Sequence, residues 1–159
     1  MTTKPDPSML ERVRLLVNEQ IPFNKLLRIE ATELREGFAR LEVPFRQELI
    51  GDPFRPAIHG GVISSLIDTC GGAAALTLLV PPGVVSTIDL RIDYLRPGEP
   101  KPLVCESTVT RMGNRVASVD SRVFHPDAPA RLIATGKAVY NVKRVRDWPE
   151  APGGRGEPR

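Results

Sequence analysis

Leu10, Val13, Leu16 and Val17 recur at the spacing of a helix, with Glu11, Arg12 and Arg14 on the other side. Asp6, Pro7 and Ser8 supply start signals and Pro22 a stop, which predicts an amphipathic N-terminal helix. From Leu27 the period becomes two. Leu27, Ile29 and Ala31 alternate with polar residues, Glu36-Gly37 makes a turn, and Ala39, Leu41 and Val43 alternate again, so a hairpin is expected. Residues 46–58 contain Gly51, Asp52, Pro53 and Pro56 and read as a structured loop. Residues 59–80 are the most apolar helix-like run and predict one long helix, ended by Pro81-Pro82-Gly83. Four alternating segments follow, at 85–95, 103–112, 115–124 and 132–142, with turns at Arg96-Pro97-Gly98 and Met112-Gly113-Asn114 and a connection over 125–130. In the first of them Ile88, Leu90, Ile92 and Tyr94 share one face and Asp89, Arg91 and Asp93 the other, so one face is expected to cover a helix.

The order is helix, two strands, one long helix, four strands. Strands joined by short turns around one helix predict an α+β domain, an antiparallel sheet wrapped around a long central helix with an N-terminal helix beside it. The 159 residues suffice for one such domain, expected over 1–142. Past Val142 the apolar period fails and six of the last eleven residues are Pro or Gly, so 143–159 is expected to be a disordered tail.

Charge changes this picture little. Lys and Arg number 22 against 19 Asp and Glu, but the residues from Val142 onward hold five basic and three acidic ones, leaving the rest at only +1. With aromatics at 5% and no basic stripe, nucleic acid is not an expected partner. Cys70 and Cys105 fit neither a disulfide framework nor a CxxC site, which with no evident signal peptide points to the cytoplasm. Residues 69–88 are uncharged, but Pro81-Pro82-Gly83 divides the run and Asp68 and His59 flank it, so no membrane span is expected.

The candidate chemistry lies on the central helix. On a helical wheel Gly61, Ser64, Gly72, Ala75 and Leu79 fall beside Asp68, while Ile63, Leu66, Cys70, Ala73, Ala74 and Thr77 lie opposite. The bulky face can bury itself on the sheet, so the small-residue face with Asp68 must meet a backbone, a second subunit or a ligand. Gly71 and Gly72 inside a helix likewise need a packing or binding reason. Asp68 is either a solvated carboxylate, satisfied by Ser64 one turn back, or a general base or nucleophile. His59 is a cap or a polar group at a helix start whose bare Gly60-Gly61 amides could stabilise an oxyanion.

His59-Gly60-Gly61, the run to Ile67, and Asp68-Thr69, together with STIDLRIDYLRPG and RMGNRVASVDSRVFH, resemble the PaaI-like hotdog-fold acyl-CoA thioesterases, most of all the YigI-like medium- and long-chain branch, over residues 23–142. The resemblance implies a hotdog fold, homodimers or homotetramers with active sites between subunits, and hydrolysis of acyl-CoA to a carboxylic acid and coenzyme A. It implies that Asp68 is the catalytic carboxylate, that Gly60 polarises the thioester oxygen with His59 beside it, and that Thr87 is a hydroxyl supplied by the second subunit. Relatives often place Asn or Gln where this chain has Asp52, which leaves the role of Asp52 open. Gly61 and Ser64 would line the substrate site, and Arg96, Arg111 and Arg115 are candidates for the phosphates of coenzyme A.

No cofactor is called for, and two histidines without chelating spacing give no metal site. GxSxG, GxGxxG and GxxxxGK[ST] are all missing from the sequence. His125, in a turn, is expected to be structural. Two other functions compete with hydrolysis: a non-catalytic acyl-CoA binding module, and an enoyl-thioester hydratase or dehydratase, since hotdog folds host those reactions too.

Overall fold

The computed structural model describes residues 7–80 and 83–144. The expected helix start at Asp6, the Pro81-Pro82 part of the helix stop, and nearly all of the expected tail lie outside them.

The N-terminal segment is not one helix. Helix α1 (Pro7–Leu15) widens into a π-helical turn (Leu16–Gln20), and a second short helix, α2 (Pro22–Leu27), follows. Pro22 starts a helix instead of ending the region, because at the first helical position its missing N–H and fixed φ are no handicap. Leu27 is therefore helical, and Arg28 closes α2 in the left-handed conformation at φ 57°. The π turn leaves the Val17 carbonyl to the Asn24 side chain, whose Nδ2 donates to it at 3.0 Å with Asn24 only 1% exposed.

The hairpin follows as β1 (Glu30–Arg35) and β2 (Phe38–Val43). The 46–58 loop contains a turn of 3-10 helix and a small hairpin of β3 (Ile50–Asp52) and β4 (Ala57–Ile58). The central helix α3 spans Gly60–Leu76, and the long strands are β5 (Gly83–Tyr94), β6 (Leu103–Met112), β7 (Val116–Phe124) and β8 (Ala134–Arg144). All pairings in the six-stranded sheet are antiparallel, in the order β1-β2-β6-β7-β8-β5. Leu66, Ile67, Cys70 and Ala74 of α3 are fully buried in one core with Leu41, Cys105 and Val123 of the sheet. Gly136 makes this approach possible, since a Cβ there would sit 2.6 Å from Ile67 Cγ2.

Simple alternation fails in β5. Its register to β8 slips between Thr87 and Asp89, so Ile88 is an extra residue in a bulge. Val85 and Thr87 before the bulge and Leu90, Ile92 and Tyr94 after it therefore all turn toward α3, while Ile88 is 59% exposed. The expected shared face of Ile88 with Leu90, Ile92 and Tyr94 is corrected accordingly: the bulge moves Ile88 off it. β5 is also a sheet edge, with Val84 and Ile88 exposed along it.

Candidate active site

Asp68 is half-buried on α3, on the face turned away from the core. Its partner is not Ser64, which donates to the Gly61 carbonyl at 3.0 Å. Thr87 Oγ1 donates to Asp68 Oδ1 at 2.7 Å, and the β5 bulge is what aims Thr87 there. One carboxylate oxygen is thus held by a hydroxyl whose lone pairs remain free to accept.

Behind Asp68 stands Tyr140 of β8, whose hydroxyl donates to the Asp68 main-chain carbonyl at 2.9 Å. Burial first, and then the Asp68 charge, push this phenol well above the ordinary range of tyrosine. The two helix glycines now have separate reasons. A Cβ on Gly71 would collide with the Tyr140 hydroxyl, whereas one on Gly72 would meet only Tyr140 Cε1, at 3.8 Å.

The start of α3 is pinned twice. His59 caps it, its Nδ1 accepting from Gly61 N–H at 2.8 Å, which puts the ring proton of a neutral His59 on Nε2. Tyr94 Oη donates to the Gly60 carbonyl at 3.0 Å. Ser65 Oγ reaches the Gly61 carbonyl at 2.7 Å. Among the described residues the Gly60 N–H has no acceptor, so it is an available donor at the positive end of the helix.

Gly60 and Asp68 do not meet within one chain. Eight residues of helix separate them by about 12 Å, and the Asp68 side chain is too short to close that gap. The division of the site expected from sequence is corrected here: Thr87 lies with Asp68 in the same chain, and Gly60 with His59 is the pair out of reach.

Asp52 sits in the β3–β4 hairpin, where its Oδ1 accepts from Phe54 N–H at 2.9 Å and Arg55 N–H at 3.1 Å. Those two amides hold its carboxyl below the usual aspartate range. It makes the turn that precedes His59.

The three arginines are dispersed. Arg96 borders a cavity of about 320 Å³ with Gly60 and Tyr94, and its Nη1 donates to Leu132 O at 2.8 Å. Arg115 bonds through its carbonyl to Val142, eight residues along β8 from Ala134 where β5 ends, which is about 26 Å away. Arg111 pairs with Ser118 in the same distant region. His125 is 6% exposed and satisfied on both nitrogens, by Pro102 O at 2.8 Å and Glu99 N–H at 3.0 Å, as a structural histidine should be.

Asp68, Thr87 and Tyr140 open on a cavity of about 400 Å³. Leu76 continues the α3 wall, and Leu16, Ile21 and Phe23 of the N-terminal segment close the other side. The remaining walls are largely apolar, so a polar group at one end adjoins a slot for a hydrocarbon. Tyr94, Tyr140 and this N-terminal wall were not singled out as site residues from sequence. Tyr94 and Tyr140 look like ordinary strand residues there, and only the bulge and the sheet order bring them to α3.

Among the described residues no group of three or more His, Cys, Asp or Glu side chains could hold a metal ion. No described helix is long and apolar enough to cross a membrane.

Comparison with known proteins gives the same direction. Residues 56–129 match the sequence pattern of the thioesterase superfamily. The chain is similar to a medium/long-chain acyl-CoA thioesterase, YigI, of Salmonella typhimurium, 31% identical over 135 residues that cover 77% of this chain and 86% of that protein. The Escherichia coli YigI shows 32% identity over the same coverage. Among solved structures, a Shewanella oneidensis protein related to the thioesterase superfamily superposes with a TM-score of 0.79 at 26% identity, covering 89% of this chain and all of that one. The E. coli PaaI protein of the phenylacetic acid degradation operon shares the fold, at TM-score 0.75 and 20% identity, over 87% of this chain and 94% of its own.

Proposed function

The chain belongs to the thioesterase superfamily, with its hotdog fold and its thioester hydrolase activity, and from that premise we propose that it hydrolyses medium- to long-chain acyl-CoA at Asp68. The observation that carries this is the Asp68–Thr87 pair at the polar end of an otherwise apolar cavity.

The Thr87 hydroxyl donates its hydrogen bond to Asp68, so a water lodged between them meets two acceptors, the Thr87 oxygen and the second carboxylate oxygen. Asp68 is the general base. The water oxygen bonds to the thioester carbonyl carbon as its proton passes to the carboxylate, and the carbonyl electrons move onto oxygen. When they return, the carbon–sulfur bond breaks and the coenzyme A thiolate takes up the proton, leaving the free acid.

The developing oxyanion needs a donor within about 3 Å. Gly60 of the same chain is about 12 Å away along the helix, so the donor for each Asp68 is the Gly60 N–H of a second copy, with His59 orienting that turn. The exposed β5 edge, carrying Val84 and Ile88, is the surface suited to bring the copies together as a dimer. Arg96, which borders the same cavity as Gly60, would meet a coenzyme A phosphate; Arg111 and Arg115 would serve the same end only if they belong to another copy. Gly61 and Ser64 lie along the face the substrate would follow. The single compact unit over 7–142 and the two buried free thiols fit one domain working in the cytoplasm.

The test is thiol release from a series of acyl-CoAs. Hydrolysis to acid and coenzyme A is expected, with octanoyl to palmitoyl groups preferred over acetyl. Tight acyl-CoA binding without thiol release, or conversion of an enoyl-CoA to its 3-hydroxy form, would replace this reading.

A further inference from the structure

The cavity beside Asp68 runs along α3. Asp68, Gly72 and Leu76 follow one another at one-turn intervals along a single wall. From Asp68 to Leu76 the helix rises about 12 Å. The volume of about 400 Å³, at about 30 Å³ for each water-sized atom, holds about a dozen non-hydrogen atoms.

Opposite this wall stand Leu16, Ile21 and Phe23. They reach it because the chain widens into a π turn between α1 and α2, and that turn is fastened by the buried Asn24 Nδ2 on the Val17 carbonyl at 3.0 Å. The far wall is therefore held in place by a hydrogen bond of its own.

Gly72 stands midway along the α3 wall, between Asp68 and Leu76. Gly71 next to it has no room for a side chain because of Tyr140, but Gly72 has room: its nearest neighbour to a Cβ is Tyr140 Cε1 at 3.8 Å, and beyond that lies the cavity. Glycine inside a helix lowers its stability relative to alanine, and packing does not demand one here. An open channel does.

We infer that Gly72 sets the acyl-chain length this protein accepts: its missing side chain lets the acyl group run from Asp68 to the Leu16–Phe23 wall, which limits the group to about a dozen carbons. The inference rests on reading the cavity as the acyl site of a thioesterase. Each methylene buried along the channel raises kcat/KM about fourfold until the cavity is filled.

The experiment measures kcat/KM for butanoyl-, octanoyl-, dodecanoyl- and hexadecanoyl-CoA with wild type, Gly72→Ala and Gly72→Leu. In wild type the values rise to dodecanoyl and then level or fall. In Gly72→Leu the dodecanoyl-to-butanoyl ratio drops by at least tenfold, and Gly72→Ala falls between the two. Both changes favour the helix, so folding is retained, which thermal melting checks. An unchanged ratio, or an equal loss on all four substrates, overturns the assignment of Gly72 while leaving the thioesterase standing. If wild type releases no thiol from any of the four, the function itself is wrong and this inference falls with it.

Discussion

Replacing Gly60 with proline removes one N–H and little else. Gly60 is the first residue of α3, where proline is well tolerated. His59 before it already has ψ 133°, the extended conformation that a residue preceding proline adopts. The nearest atom to a new Cβ is Tyr94 Cε1 at 3.4 Å, an ordinary contact. The variant should fold and assemble like wild type, yet lose the oxyanion donor, which slows acyl transfer about 10²–10³-fold, or about 3–4 kcal/mol of transition-state stabilisation. Because Gly60 and Asp68 of one chain are about 12 Å apart, the proposed two-copy site puts the lesion beside the Asp68 of the other copy. Gly60→Pro and Asp68→Asn, each nearly inactive, should therefore complement one another. A mixed dimer has one site with both lesions and one with neither, so isolated mixed dimers should recover roughly one half of wild-type turnover. The assay is thiol release from dodecanoyl-CoA by variants carrying different affinity tags and refolded together, with mixed dimers isolated through both tags. Mixed dimers without recovered activity would refute the shared site, and a Gly60→Pro enzyme with full activity would refute Gly60 as donor.

Thr87→Val keeps the shape of the side chain but removes the donor to Asp68. A hydrogen bond to a charged group at this half-exposed position is worth about 1.5 kcal/mol, so kcat should fall about tenfold with the fold intact, and an unchanged kcat would show that Thr87 takes no part. Tyr140 gives a pH prediction. Its folded-state value lies above the unfolded value of about 10, so its contribution to stability is complete below about pH 10 and is lost as pH rises beyond. Ultraviolet titration should show Tyr140 ionising only as the protein unfolds in alkali, and Tyr140→Phe should remove that step; ionisation of Tyr140 in the folded state near pH 10 would contradict its burial.

The sequence patterns reach the fold well where one physical signal dominates. The alternation over residues 103–112 coincides with β6, and the apolar run after His59 becomes α3 with its bulky face on the sheet. They fail where a local rule has two outcomes. Pro22 ends one helix or starts another, and only the seat of Asn24 under the Val17 carbonyl selects the second. The Ile88 bulge leaves no mark in a run of alternating residues, yet it decides that Thr87 and Tyr94 both face α3. The role of Asp52 stays open in the sequence until the hairpin brings the Phe54 and Arg55 amides onto its carboxylate.

The central claim is that Asp68 is the base of a thioester hydrolase, and Asp68→Asn tests it most directly. The amide keeps the size of the side chain and still accepts from Thr87, so folding and acyl-CoA binding should persist, while kcat for dodecanoyl-CoA hydrolysis falls by about 10²–10⁴-fold. Wild-type turnover in a folded Asp68→Asn protein would contradict the account.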